Sequence, residues 1–247
     1  MTIDVFTGKA ARYAKYRWNY APQAIQTVFN VTGISERSVV ADIGAGTGIL
    51  TRHFIGKVKQ VWAVEPNAEM RQIAIDTLGG YPSCHIVDGR AEATTLADDS
   101  IDLITDAQAL GWFEPQPTRT EFLRILKDGG WFADLYNHGT DDKLRKALEP
   151  IFLPETDTTT LMKLRGTPIS FFYGHTDFIT RTFAFTTQQT WATFIGGLST
   201  SSYAPHENSA LYADFERAAR RVFDRFSTDG ILTSNAATEL CLGQMMP

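Results

Sequence analysis

The amino-acid sequence predicts an α/β fold, a largely parallel sheet with helices on both faces. Three observations carry that expectation. From about residue 38 to residue 136, short β-branched runs alternate with segments of helical periodicity. The alternation has the spacing of βαβ units, whose crossovers place helices on both faces of a parallel sheet. The first run ends in a cluster of glycines at a strand-to-helix junction, the place where an open α/β sheet binds its ligand.

Residues 8–31 read as two helical pieces divided near Ala21-Pro22, since proline cannot continue a helix. The run SVVADI at 38–43 is the first strand, and residues 47–55 follow as a helix with Leu50 and Phe54 on one face. Residues 61–64 form the second strand. Ala68–Leu78 then sets Met70, Ile73, Ala74 and Leu78 at helical spacing. Cys84–Val87 and residues 101–105 are further strands. Thr118 opens a helix with Glu121 in a capping-box pattern, and Phe122, Leu123, Ile125 and Leu126 form its buried stripe. Gly129-Gly130 stops it, and residues 131–136 form the fifth strand. Residues 141–205 break the alternation with a polar helix, a Thr-rich stretch at 157–160 and a strand-like segment at 171–187; they read as a lid laid over one end of the sheet. Residues 209–226 return to helix, and 231–234 with 238–243 read as a hairpin on the sheet edge.

Composition narrows the class. The 247 residues are 43% hydrophobic and 21% charged, with 23 Lys and Arg against 28 Asp and Glu and a net charge of −5. These are globular values, and the acidic balance argues against nucleic-acid binding driven by phosphate attraction. Two cysteines, Cys84 and Cys241, cannot build a disulfide framework, so a cytoplasmic setting is expected. Neither a signal-peptide core nor a membrane-length apolar run is expected.

The stretch Asp42-Ile43-Gly44-Ala45-Gly46-Thr47-Gly48 brings a ligand close to bare backbone, and Glu65 ends the next strand where it can accept from ribose hydroxyls. The dinucleotide pattern G-x-G-x-x-G/A would need Gly or Ala where Ile49 stands, and no Gly-Lys-Ser/Thr follows for a P-loop. The spacing G-x-G-x-G behind Asp42 instead resembles the class I S-adenosylmethionine (SAM)-dependent methyltransferases.

That resemblance extends along most of the chain. Residues 40–48 resemble the family's first motif and Val64-Glu65-Pro66-Asn67 its second. Asp88-Gly89-Arg90-Ala91-Glu92 resembles the loop bordering adenine, with Arg90 where an acid is common. Ser100–Ile104 and Arg124-Ile125-Leu126-Lys127-Asp128-Gly129-Gly130 resemble the fourth-strand and R-x-L-x-x-G-G motifs. Tyr13-Ala14-Lys15-Tyr16-Arg17 with Tyr20 is similar to the entrance segment of the trans-aconitate type among the type 11-like small-molecule enzymes. Ala107-Gln108-Ala109-Leu110-Gly111-Trp112-Phe113 is similar to that group's A-x-A-x-H-W-F, with Gly111 in place of histidine. The segment 198–205, with Tyr203, resembles poorly characterised bacterial members.

The resemblance implies a Rossmann-like seven-stranded, mostly parallel sheet in a single domain. It would comprise an N-terminal helical cap (8–31), a SAM-binding core (38–136), a lid (141–205) and a C-terminal helix with an edge hairpin (206–247). It implies SAM as the methyl donor, S-adenosylhomocysteine (SAH) as its product, and a small-molecule acceptor. Donor binding falls to Asp42, Gly44, Ala45, Gly46, Gly48, Glu65, Pro66, Asn67, Ala91, Glu92, Asp106 and Ala107. Asp42 serves the cofactor or caps the following turn; Asp106 meets the donor's ammonium or simply ends its strand. Tyr13, Tyr16, Arg17, Tyr20, Trp112 and Tyr203 are the acceptor-side candidates, and on a helix Tyr13, Tyr16, Arg17 and Tyr20 share a face. Arg17 suits a carboxylate, and His138 is the candidate base if one is needed. The five histidines lack ligand spacing, so no metal is expected. The sequence leaves open a SAM- or SAH-binding regulator or partner subunit without catalysis of its own.

Overall fold

A computed structural model describes residues 3–152 and 166–246. Among the described residues, seven strands form one sheet in the order β3-β2-β1-β4-β5-β7-β6. They are β1 (Val39–Ile43), β2 (Gln60–Val64), β3 (Cys84–Val87), β4 (Ile101–Ala107), β5 (Leu126–Gly139), β6 (Ile179–Gln189) and β7 (Leu232–Gln244). β1 to β5 are mutually parallel, and β7 runs antiparallel to both β5 and β6. The strand order turns back between β1 and β4, and the loops leaving the carboxyl ends of β1, β2 and β4 gather at that switch point.

Side chains alternate across the sheet, so each strand serves two cores. On one face Val40, Leu103, Leu135 and Leu240 pack under helix α2 (Pro22–Thr32), which follows the short α1 (Ala10–Tyr16). On the other face Ile43, Ile104 and Phe132 meet Phe122 and Phe172. Among the helices, α3 (Ala68–Leu78) lies between β2 and β3 in the chain, and α4 (Pro115–Ile125) supplies Phe122. The chain goes on through α5 (Asp142–Leu148) and α6 (Ile169–Tyr173), which supplies Phe172. A third cluster joins α5 to α7 (Trp191–Ser199) and α8 (Tyr212–Phe226) through Leu144, Phe194, Phe215 and Phe223.

Four expectations are corrected. Residues 47–55 form turns and one 3-10 turn, Thr51–His53, rather than a helix; Gly48 and four β-branched residues disfavour helix there. Helix α4 begins at Pro115, a residue pre-set for the first helical position. Thr118 therefore falls inside the helix, and Glu121 accepts from the Thr94 amide at 2.7 Å and hydroxyl at 2.6 Å instead of closing a capping box.

The C-terminal hairpin is a single strand, β7, held in one line by pairing with β5 on one side and β6 on the other. The strand-like part of the expected lid is likewise the sheet's edge strand β6, whose Phe185 meets Trp18 edge-on at 6.0 Å. The Thr-rich stretch at 157–160 lies outside the described residues.

The interior position of β7 has a direct consequence. Leu240 is fully buried, so Leu240→Ala is expected to cost about 2–5 kcal/mol in urea unfolding. A loss under about 1 kcal/mol would fit an exposed edge and contradict the arrangement.

Candidate functional site

The site begins where β1 ends. The amides of Gly44 and Ala45 donate to the Val64 carbonyl at 2.8 and 3.1 Å, drawing the glycine loop across the end of β2. Glu65 fixes the loop from the other side. One carboxylate oxygen accepts from Gly46 N–H and the other from Asn67 N–H, both at 2.8 Å. Asn67 then caps α3 by accepting from the amides of Glu69 and Met70. Arg71 clamps the same turn through the carbonyls of Glu65 and Pro66 at 2.8 and 3.0 Å. Burial raises the Glu65 carboxyl while these amide bonds oppose the rise. Each carboxylate oxygen retains a lone pair for a further donor.

This loop borders a cleft completed by Ala91 and Glu92 from the loop after β3 and by Ala107. Aromatic rings form its outer wall: Phe6 stands edge-on to Tyr13 at 5.9 Å and to Trp112 at 5.6 Å. The residues fit SAM. A Cβ on Gly44, whose φ is +68°, would fall 2.6 Å from Ala109 and 3.2 Å from Phe113. The cradle thus needs bare backbone, Glu65 offers an acceptor to ribose, and aromatic faces suit a sulfonium cation.

Several expected donor residues sit beneath this cleft rather than in its lining. Asp42 accepts from the Thr51 hydroxyl at 2.5 Å and the Thr105 hydroxyl at 3.0 Å, and so ties the loop to β4. Burial pushes its pKa up to about 6. Asp106 is fully buried and accepts from the amides of Ala109 and Leu110 at 3.0 and 3.1 Å, shaping the turn that carries Trp112. Burial, reinforced by Asp134 on β5, raises the Asp106 carboxyl well above the carboxylate range, and the two acids share a hydrogen bond. Ala45 and Gly48 shape the loop without lining the cleft. Gly46, Pro66 and Asn67 line it.

A second cavity adjoins the first and is lined by Tyr16, Arg17, Tyr20 and His138. Among the described residues, Tyr13 and Gln108 line both. The expected single helix face is not formed: α1 ends at Tyr16, and Arg17 is already extended, with ψ 140°. Proline at 22 forces the preceding residue toward extended backbone, and Ala21 N–H is anchored on the Thr238 hydroxyl at 2.9 Å. Tyr20 reaches the cavity from this extended run. Trp112 walls the donor cleft instead of the second cavity, and Tyr203 lines neither. His138 stacks on Tyr136, with Nε2 3.7 Å from a Glu239 oxygen. Among the described residues, no three His, Cys, Asp or Glu side chains gather as a metal site, and no helix is long and apolar enough to cross a membrane.

Gln108 is the residue that sequence reasoning missed. Its φ is +64°, a left-handed conformation uncommon outside glycine. The amide donates to Leu135 O at 3.0 Å and the side-chain Nε2 to Asn137 O at 2.8 Å, which holds the side chain across the β4–β5 gap between the cavities. Asn137 donates in turn to Asn19 O and accepts from Thr238 Oγ1. One network therefore joins the junction to the Arg17–Ala21 segment. The only local signal was a polar residue within an otherwise apolar motif after β4.

Comparison with known proteins agrees with this geometry. Residues 41–133 match the family model described as a methyltransferase domain. An uncharacterized methyltransferase of Schizosaccharomyces pombe is 29% identical over 168 residues, covering 68% of this chain and 62% of its own. One of Mycobacterium tuberculosis (strain ATCC 25618 / H37Rv) is 33% identical over 132 residues, covering 53% and 51%. The chain thus spans between half and two thirds of the length of these relatives. A candidate Type II methyltransferase from Anaeromyxobacter dehalogenans has the same fold, with a TM-score of 0.64 at 19% identity over 94% of this chain and 99% of that one. So does the YcgJ protein from Bacillus subtilis, with a TM-score of 0.58 at 18% identity over 92% and 100%.

The buried Asp42 makes stability depend on pH. Its folded pKa of about 6 lies above the ordinary value near 4. Its contribution is therefore full below pH ~4 and lost as pH rises through ~6. Asp42→Asn is expected to remove about 1 kcal/mol of the decline in urea-unfolding free energy between pH ~5 and ~7. An unchanged slope would mean that Asp42 is ionised throughout that range.

Proposed function

We propose that the chain, whose residues 41–133 match the methyltransferase-domain family model, is a SAM-dependent methyltransferase that moves a methyl group from SAM to a small-molecule acceptor in the second cavity. The observation that carries this reading is the pair of adjoining cavities sharing Tyr13 and Gln108. The first has the glycine cradle and the acid that a nucleoside requires. The second opens beside it with room for an organic molecule.

Bound in the first cavity, SAM supplies a methyl group already activated on a sulfonium. The protein's share is to align the acceptor and keep water out. Gly44 and Gly46 give backbone room, Glu65 takes the ribose hydroxyls, and Phe6, Tyr13 and Trp112 wall the opening. Tyr13 and Gln108 fix the approach from the acceptor side.

We assign the acceptor atom to an ionised oxygen such as a carboxylate. Arg17 lies over the Tyr13 ring at 4.8 Å, beside the junction, and has no carboxylate partner among the described residues. An oxygen already ionised has no proton to lose, so no base is required. Three features support that route: glycine at 111, His138 facing Glu239, and the buried Asp106–Asp134 pair turned into the sheet.

Calorimetry tests the reading. SAH is expected to bind and NAD not to. Glu65→Ala should weaken SAH binding by about 1–3 kcal/mol, because the ribose hydroxyls lose their acceptor and Gly46 its anchor. Once an acceptor is found, His138→Gln should keep turnover within about tenfold; a loss near a thousandfold with SAH affinity intact would install His138 as the base. Tight SAH binding with no methylated product from any metabolite extract would favour a binding protein without catalysis.

A further inference from the structure

The acceptor cavity is chemically uneven. Leu144, Leu148, Phe152 and Phe194 give it an apolar wall. Its charged side chains are mostly committed elsewhere. Arg145 pairs with Asp142 at 3.1 Å and Glu149 at 2.6 Å. Asp141 caps α5 by accepting from the amides of Lys143 and Leu144.

Arg17 is different. Its Nε is buried with no hydrogen-bond partner, and its Nη2 reaches only the Thr200 carbonyl, at 3.5 Å. Tyr20 beside it is 6% exposed and lines the same cavity. Behind them lies the ammonium of Lys9, 5% exposed and bonded to the carbonyls of Ser201 and Ala204. Its pKa is lowered to about 8 by burial and by Arg17. The unpaired Arg17 Nε, with the Tyr20 hydroxyl and the Lys9 ammonium near it, thus stands at the end of the cavity that meets the donor cleft. Buried donors left unpaired are costly, and a ligand oxygen removes that cost.

On the methyltransferase reading above, we infer that the acceptor is an amphipathic monocarboxylic acid. Its carboxylate sits between Arg17 Nε and the Tyr20 hydroxyl, and its apolar body lies along Leu144, Leu148, Phe152 and Phe194. A polycarboxylate would need a second free cation in the cavity, and Arg145 is already neutralised by two acids.

Titration calorimetry on the SAH-saturated protein tests this with hexanoate, octanoate and decanoate, using octanamide and citrate as controls. Affinity is expected to rise about fourfold for each added methylene. Octanamide and citrate should bind at least about tenfold more weakly than octanoate. Arg17→Gln should lower octanoate affinity at least about tenfold while SAH affinity stays within about threefold. Tyr20→Phe, which keeps the buried ring, should lower octanoate affinity by several fold. A flat chain-length series, tighter binding of citrate, or an Arg17→Gln variant that binds octanoate normally would overturn the inference while leaving the donor reading in place. Failure of SAH itself to bind would overturn the donor reading, and this inference with it, before any acid is added.

Discussion

The carboxylate of Glu65 holds together the two strand ends that make the site. By accepting from Gly46 on one side and Asn67 on the other, it sets the glycine loop against the start of α3. Hydrogen bonds to a charged acceptor are among the stronger ones in proteins, and this pair lies in a nearly buried position. The cradle at Gly44, the capped entry to α3 and the Arg71 clamp all take their places from it. An acid of this kind has two uses at once: it braces the loop and leaves lone pairs facing the cleft.

Beneath the cleft the same economy recurs with acids that face inward. Asp42 joins the loop to β4 through two threonine hydroxyls, and Asp106 fixes the turn bearing Trp112. Both are raised by burial, and Asp106 shares a hydrogen bond with Asp134. Arg17, which has no carboxylate partner among the described residues, lines the second cavity. On the reading proposed above, that cation faces an anionic acceptor approaching a cationic donor.

The glycine loop, Glu65 and the parallel core were legible in the sequence because each is a local pattern: a strand, a turn needing bare backbone, then an acid at the next strand end. The other features depend on partners far along the chain. Asn235 read as turn material, yet it lies within β7, paired with Thr186 of β6 and accepting at its carbonyl from the Thr140 amide just past β5. Asp42 and Asp106 looked like cofactor acids because they end strands at the switch point; Thr51, Thr105 and the Ala109 and Leu110 amides take them first. Gln108 carries no residue-type signal for its left-handed backbone. The second cavity joins Arg17 to Phe194 and Asn235, a combination no spacing rule anticipates.

The central claim is that SAM-type ligands enter the cleft organised by Glu65 and that the N-terminal segment closes its outer wall. Hydrogen–deuterium exchange with and without SAH tests it most directly. Slowed exchange is expected in residues 43–48, 64–70 and 106–113 and in the N-terminal residues 5–17, with the core of β1 and β4 little changed. Calorimetric binding of SAH with no protection at 43–48 and 64–70 would place the ligand elsewhere and contradict the account.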